Sequence, residues 1–124
     1  MAKERPKHLD LPKIRLPLPG IVSILHRVSG ALMFLSIPLV LWLLSGSLSN
    51  EATYDAFRGF ISHPVIKLGL IALLWAYLHH ACAGVRFLLL DAHRGIELST
   101  ARMTAKVVLV VSIALTAVIG GVLW

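Results

Sequence analysis

Two clusters of residues in this sequence have the types and spacing to do chemistry. The first is Ser23, His26 and Arg27 within SILHRVSG, residues 23–30; the second is His79 and His80, followed by Gly84, Arg86 and Asp91, within LHHACAGVRFLLLD, residues 78–91. A hydroxyl and a permanently charged guanidinium four residues apart share one helix face, where together they can hydrogen-bond and polarise a carbonyl oxygen. His26 points about 100° away from Arg27. Imidazole carries protons near neutral pH and, when neutral, ligates metals. His80 shares a face with Gly84 and Phe87. A glycine one turn beyond a histidine removes a side chain and lets a flat ligand approach the backbone.

The elements that must position these clusters are oily. Of 124 residues 57% are hydrophobic and 15% charged, too apolar for a soluble domain of this size to hide in one core. Three segments carry the excess, at about 20–45, 63–91 and 103–124, each near the roughly 20 residues that cross about 30 Å of hydrocarbon. The expected fold is an all-α membrane protein with three transmembrane helices in a single domain, residues 1–124. The first apolar run exceeds the h-region of a signal peptide, so it is expected to remain as a span.

Residues 1–19 form a proline-rich basic segment, with four of the six prolines and five of the twelve Lys and Arg residues. Proline at that density excludes a long helix. The loop after the first span has only Arg58 against Glu51 and Asp55, so the positive-inside rule places the N-terminus in the cytoplasm. Arg94, Arg102 and Lys106 fall on the same side. The net charge of +6 thus flanks membrane spans, which argues against a nucleic-acid partner. Glu4 and Asp10, and the absence of serine before the first span, differ from a mitochondrial transit sequence and point to a bacterial inner membrane. Cys82 stands alone and cannot form an intrachain disulfide. Asn50 to Phe60 reads as a short amphipathic piece, and His63 and Pro64 as a helix start. Pro38 is expected to kink the first span, and Gly120 and Gly121 to allow close helix packing.

Within hydrocarbon each polar side chain needs a partner or a purpose. At 1.5 Å per residue, His26 lies about 9 Å and His80 about 16 Å from the cytoplasmic ends of their helices. Near the midplane, a histidine either bonds another helix, relays protons or binds a metal. Gly84, Arg86 and Asp91 favour a cofactor with acidic substituents, and a haem answers that description: its iron takes imidazole, and its propionates need donors such as His26, Arg27 and Arg86. The unequal depths argue against His26 and His80 ligating one iron, which assigns the second ligand to another polypeptide.

With these residues in place, the sequence resembles the cytochrome b556 membrane-anchor family of bacterial succinate dehydrogenase. Two motifs carry the resemblance: Arg5-Pro6 followed, after a proline-containing spacer, by Ser23-x-x-His26-Arg27-x-Ser29, and His80-x-x-x-Gly84-x-Arg86 with a short apolar run to Asp91. The resemblance implies that His80 is an axial ligand of one b-type haem shared with a second small anchor subunit, whose histidine supplies the other ligand. It also implies that Ser23 and Arg27 bind a quinone, ubiquinone being the expected species, near an iron-sulfur subunit fed by a flavoprotein subunit. His26, Arg27 and Arg86 then lie in the vicinity of the haem propionates. The sequence departs from the pattern at Lys7, at Phe87, where histidine is frequent, and at Leu90. His79 is an extra histidine beside the proposed ligand, and only the spacing to Gly84 and Arg86 favours His80. The competing readings are an anchor without redox chemistry and a small transporter subunit.

Overall fold

The computed structural model describes residues 13–124. Residues 1–12, with the Arg5-Pro6 opening of the first motif and most of the proline-rich segment, lie outside the described residues. The described chain is all-α: α1 spans Leu18–Leu48, α2 Glu51–Ser62, α3 Pro64–Asp91 and α4 Leu98–Leu123. Helices α1, α3 and α4 have 31, 28 and 26 residues and are apolar enough to cross a membrane. Even the shortest reaches about 39 Å at 1.5 Å per residue, more than the hydrocarbon core. The protein is a multi-pass membrane protein with three such helices among the described residues.

Local chemistry sets the ends of these elements. Pro17 and Pro19 open α1, where a missing N–H costs nothing. Asn50 caps α2 by accepting from the Thr53 amide at 3.0 Å, and Thr53 Oγ1 accepts from the Asn50 amide at 3.1 Å, a reciprocal capping box. The Val65 amide donates to His63 Nδ1 at 3.3 Å, so His63 caps α3 just before Pro64. The expected amphipathic piece is thus a helix of its own, α2. Helix α1 runs without interruption through Pro38. Helix α4 begins at Leu98, five residues before the expected boundary, because an apolar count starts a span only after the polar turn Ser99–Arg102 that the backbone already winds.

Between α3 and α4 the chain reverses in a Schellman turn. The Arg94 amide donates to Leu89 O and the His93 amide to Leu90 O, both at 2.9 Å, with His93 at φ 57°. Gly95 follows at φ 73°, a conformation that suits a residue without Cβ.

Helix α3 packs on both α1 and α4, which touch each other less. The buried stripe of α3 is Ala76, His79, Ala83 and Arg86, at spacings of three, four and three. Facing it, α4 buries Ala105, Val108, Ser112, Thr116 and Gly120, and α1 contributes Val22 and Ser29. Small residues let the backbones approach, since lipid supplies no hydrophobic drive between helices. Gly120 shows this directly: a Cβ there would lie 3.5 Å from Ile71 Cγ1, whereas Gly121 faces open space. Ser112 and Thr116 donate to Leu109 O and Ser112 O of their own helix, at 3.1 and 2.7 Å. Large apolar side chains such as Phe34, Leu35 and Leu88 point outward, as hydrocarbon surroundings permit.

Candidate functional site

The two chemical clusters of the sequence meet in the groove between α1 and α3. The His26 and His80 rings stack with centroids 4.1 Å apart and planes 12° from parallel. The unequal depths counted from the sequence are therefore corrected: the two histidines lie level, because the ends of α1 and α3 do not. Phe87 closes the edge of the stack, its ring 5.1 Å from that of His26.

Two α1 groups converge on His80 Nδ1. That nitrogen lies 3.1 Å from the carbonyl oxygen of His26 and 3.3 Å from Ser29 Oγ, which itself donates to the same carbonyl at 2.9 Å. With the serine hydrogen spent on the carbonyl, Nδ1 carries the imidazole proton and donates. That tautomer leaves the lone pair on Nε2, which has no hydrogen-bond partner among the described residues and is not sealed from outside. Gly30 makes the approach possible. A Cβ at residue 30 would fall 2.9 Å from His80 Cε1, whereas one at Gly84 would stand 3.7 Å from His26 Nε2. The sequence pattern placed a flat ligand beside Gly84; in the structure the His26 ring takes that space.

His79 has the opposite environment. It is fully buried, stacked on Trp75 at 5.2 Å, and neither ring nitrogen has a hydrogen-bond partner. The helix turns 100° per residue, so adjacent histidines cannot share a face: His79 plugs the bundle centre and His80 opens to the groove.

Ser23 and Arg27 lie on the flank of α1 next to Gly30 and turned away from buried Val22 and Ser29. Ser23 is half-buried and Arg27 exposed, and neither makes a hydrogen bond to another described residue. Arg86 behaves differently. It is 6% exposed and turns to α4, where Nε donates to Thr104 Oγ1 and Nη2 to Ala101 O, both at 3.1 Å. Its guanidinium carbon stands 5.6 Å from the Phe87 ring centroid. Of the three cationic or donor groups expected around acidic substituents, His26 lies against His80 and Phe87, Arg27 is exposed on α1, and Arg86 stands against the Phe87 ring. Asp91, the last residue of α3, is exposed.

Among the described residues no three His, Cys, Asp or Glu side chains gather as a metal site. His80 therefore offers a single ligand, not a cage. The residues fit a haem in that limited sense: a half-buried imidazole with a pinned Nδ1, a bare Nε2 and a glycine where its ring is most crowded. Ser29 and Gly30 had no assigned role in the sequence reading, although both lie inside SILHRVSG. Their signal is the four-residue step from His26 to Gly30, which places a small residue one turn above the histidine on the side that faces α3.

A family model described as succinate dehydrogenase/fumarate reductase transmembrane subunit matches residues 1–119. The chain is 35% identical over 125 residues to a succinate dehydrogenase cytochrome b556 subunit of Coxiella burnetii, covering 100% of both chains. It is 32% identical to the protein of the same name in Rickettsia felis, over 91% of this chain and 88% of that one. Against the Paracoccus denitrificans protein of that name the identity is 28%, over 90% and 85% respectively.

Proposed function

Because the chain belongs to the succinate dehydrogenase/fumarate reductase transmembrane subunit family, we propose that it is the haem b-binding anchor subunit of a bacterial succinate:quinone oxidoreductase and builds part of its quinone-reduction site. It sits in the inner membrane as a multi-pass subunit. A second small anchor subunit completes the haem-binding bundle, and an iron-sulfur and a flavoprotein subunit deliver electrons from succinate. The N-terminus and the Arg94–Arg102 turn face the cytoplasm, following the positive-inside rule.

The observation that carries this reading is the His80 imidazole, held by α1 through Nδ1 with Nε2 left bare. A metal-ligating histidine characteristically donates its other ring N–H to a carbonyl or carboxylate, which fixes tautomer and orientation. His80 has that arrangement, with Nδ1 on the His26 carbonyl. When bound, the haem supplies a one-electron carrier beside the quinone. A second ligand to the iron would come from the partner anchor, since His26 is stacked on His80 and not opposed to it.

Ser23 and Arg27 form the quinone-binding pair. The Ser23 hydroxyl donates to a quinone carbonyl oxygen, and the Arg27 guanidinium stabilises negative charge as that oxygen is reduced. Arg27 keeps its charge throughout, so the stabilisation grows with the charge it meets. His26 and Arg27 hold the propionates, and Arg86 adds positive potential from behind Phe87. Ubiquinone is the quinone we assign.

The test is a reduced-minus-oxidised spectrum of membranes containing the whole complex. His80→Ala is expected to abolish or displace the b-type α band while the subunits still assemble. An unchanged band in that variant would sink the His80 ligand assignment, whereas the absence of any b-type band from the parent complex would make an anchor without redox chemistry the better reading.

A further inference from the structure

On the flank of α3 away from His80, a groove of about 390 Å³ runs between α3 and α4. Cys82, Val85, Leu89 and Val107 form its apolar wall, and Arg86 and Arg94 stand at its polar end. Leu89 is nine residues from His80, half a turn in phase at 100° per residue, so this groove and the α1–α3 groove lie on opposite sides of one helix.

We propose that this groove binds the phosphodiester of an anionic membrane phospholipid between Arg86 and Arg94, with an acyl chain lying along Cys82, Val85 and Leu89. The argument begins with charge. Arg86 is almost fully buried, and its two hydrogen bonds go to neutral acceptors, a hydroxyl and a carbonyl. Both acceptors belong to the first two turns of α4, whose positive dipole end gives no compensation for a cation. Neither arginine has a carboxylate partner among the described residues, and no acidic side chain lines the groove. A buried cation in a membrane-spanning bundle, a second cation at the mouth of its groove and no acidic side chain lining it call for an anion from outside.

Depth and shape identify its source. The Schellman turn that ends α3 brings Arg94 back over the mouth of the groove. From Asp91 to Cys82 the wall descends about 14 Å at 1.5 Å per residue, close to the hydrocarbon depth of one leaflet. A phosphate at the arginines thus sits at headgroup level with its tail along the apolar wall. Basic pockets between transmembrane helices on the cytoplasmic side are suited to anionic headgroups. The flank is also the one turned away from the partner anchor on the reading above, which leaves lipid as its neighbour.

The test uses the intact detergent-purified complex, delipidated and then incubated with phosphatidylglycerol or phosphatidylcholine, with bound lipid counted by native mass spectrometry. Phosphatidylglycerol is expected to be retained in preference to phosphatidylcholine. Arg94→Gln, at an exposed position, should lower that retention about fivefold, the effect of roughly one surface cation. Val85→Trp, which blocks the tail path from an outward-facing position, should lower it as well, and both variants should keep the haem spectrum of the parent complex. Equal retention of both lipids, or retention unmoved by either substitution, overturns the proposal. So does displacement of phosphatidylglycerol by inorganic phosphate at millimolar concentration, which would make the site one for a free anion.

Discussion

His26 and His80, 54 residues apart in the chain, lie face to face, ring on ring, with centroids at 4.1 Å. In-plane lone pairs of two parallel imidazoles run side by side and do not converge on a common point. This chain therefore cannot offer the pair as opposed ligands of one iron in this arrangement, although the two rings are level. The reason is orientation, where counting residues along each helix had pointed to depth.

The adjacent histidines are separable by substitution. His79→Phe replaces a buried imidazole that has no hydrogen bond with an apolar ring of similar shape, a change that is nearly neutral or stabilising. The α band is expected to survive and the thermal midpoint of the purified complex to hold or rise. His80→Phe should lose the band. If His79→Phe loses it and His80→Phe does not, the ligand is His79.

Gly30→Ala puts a Cβ 2.9 Å from His80 Cε1 and 3.3 Å from Nδ1, so the ring must leave the His26 carbonyl. Overpacking of this kind costs about 1–3 kcal/mol. The measured consequence is a lower ratio of haem to protein. Gly120→Ala is the control, since its Cβ meets Ile71 at an ordinary 3.5 Å. Equal haem loss in both would show that the effect is general helix packing.

Ser29→Ala removes one of two side-chain donors to the His26 carbonyl and a 3.3 Å neighbour of His80 Nδ1. His80 keeps its own bond to that carbonyl, so the haem should stay bound while its midpoint potential moves, as expected when hydrogen bonding to a ligand changes. Ser29→Thr, which retains the hydroxyl, should restore the parent potential. A potential that moves equally in both variants would reduce Ser29 to a packing residue.

Arg27→Leu is expected to cripple quinone reduction and leave succinate oxidation by a soluble dye intact, because on the proposed reading the guanidinium meets the quinone, and it is exposed with no hydrogen bond to another described residue. Ser23→Ala should act more mildly, with the loss of a neutral hydrogen bond worth about 1 kcal/mol, or roughly fivefold in apparent quinone affinity. Equal loss of quinone and dye activities in Arg27→Leu would indicate failed assembly instead.

Hydropathy alone determines three spans here, since a stretch of about 20 apolar residues has few ways to avoid the bilayer. The amphipathic piece that forms α2 was legible for a similar reason, its signals lying within a few residues of one another, whereas the Asn50–Thr53 capping box came from the structure. So were the angular relations along each helix, which put Ser23 with Arg27 and His79 apart from His80. What periodicity cannot supply is the absolute rotation of a helix against its neighbours when nearly every face is apolar. Only packing decided that His79 faces the bundle centre and His80 the groove, that the ends of α1 and α3 are offset so His26 meets His80, and that Arg86 turns to Thr104 and Ala101 on α4. Ser29 and Gly30 gained their roles the same way, because a close approach between helices belongs to both surfaces at once and is written in neither sequence segment alone.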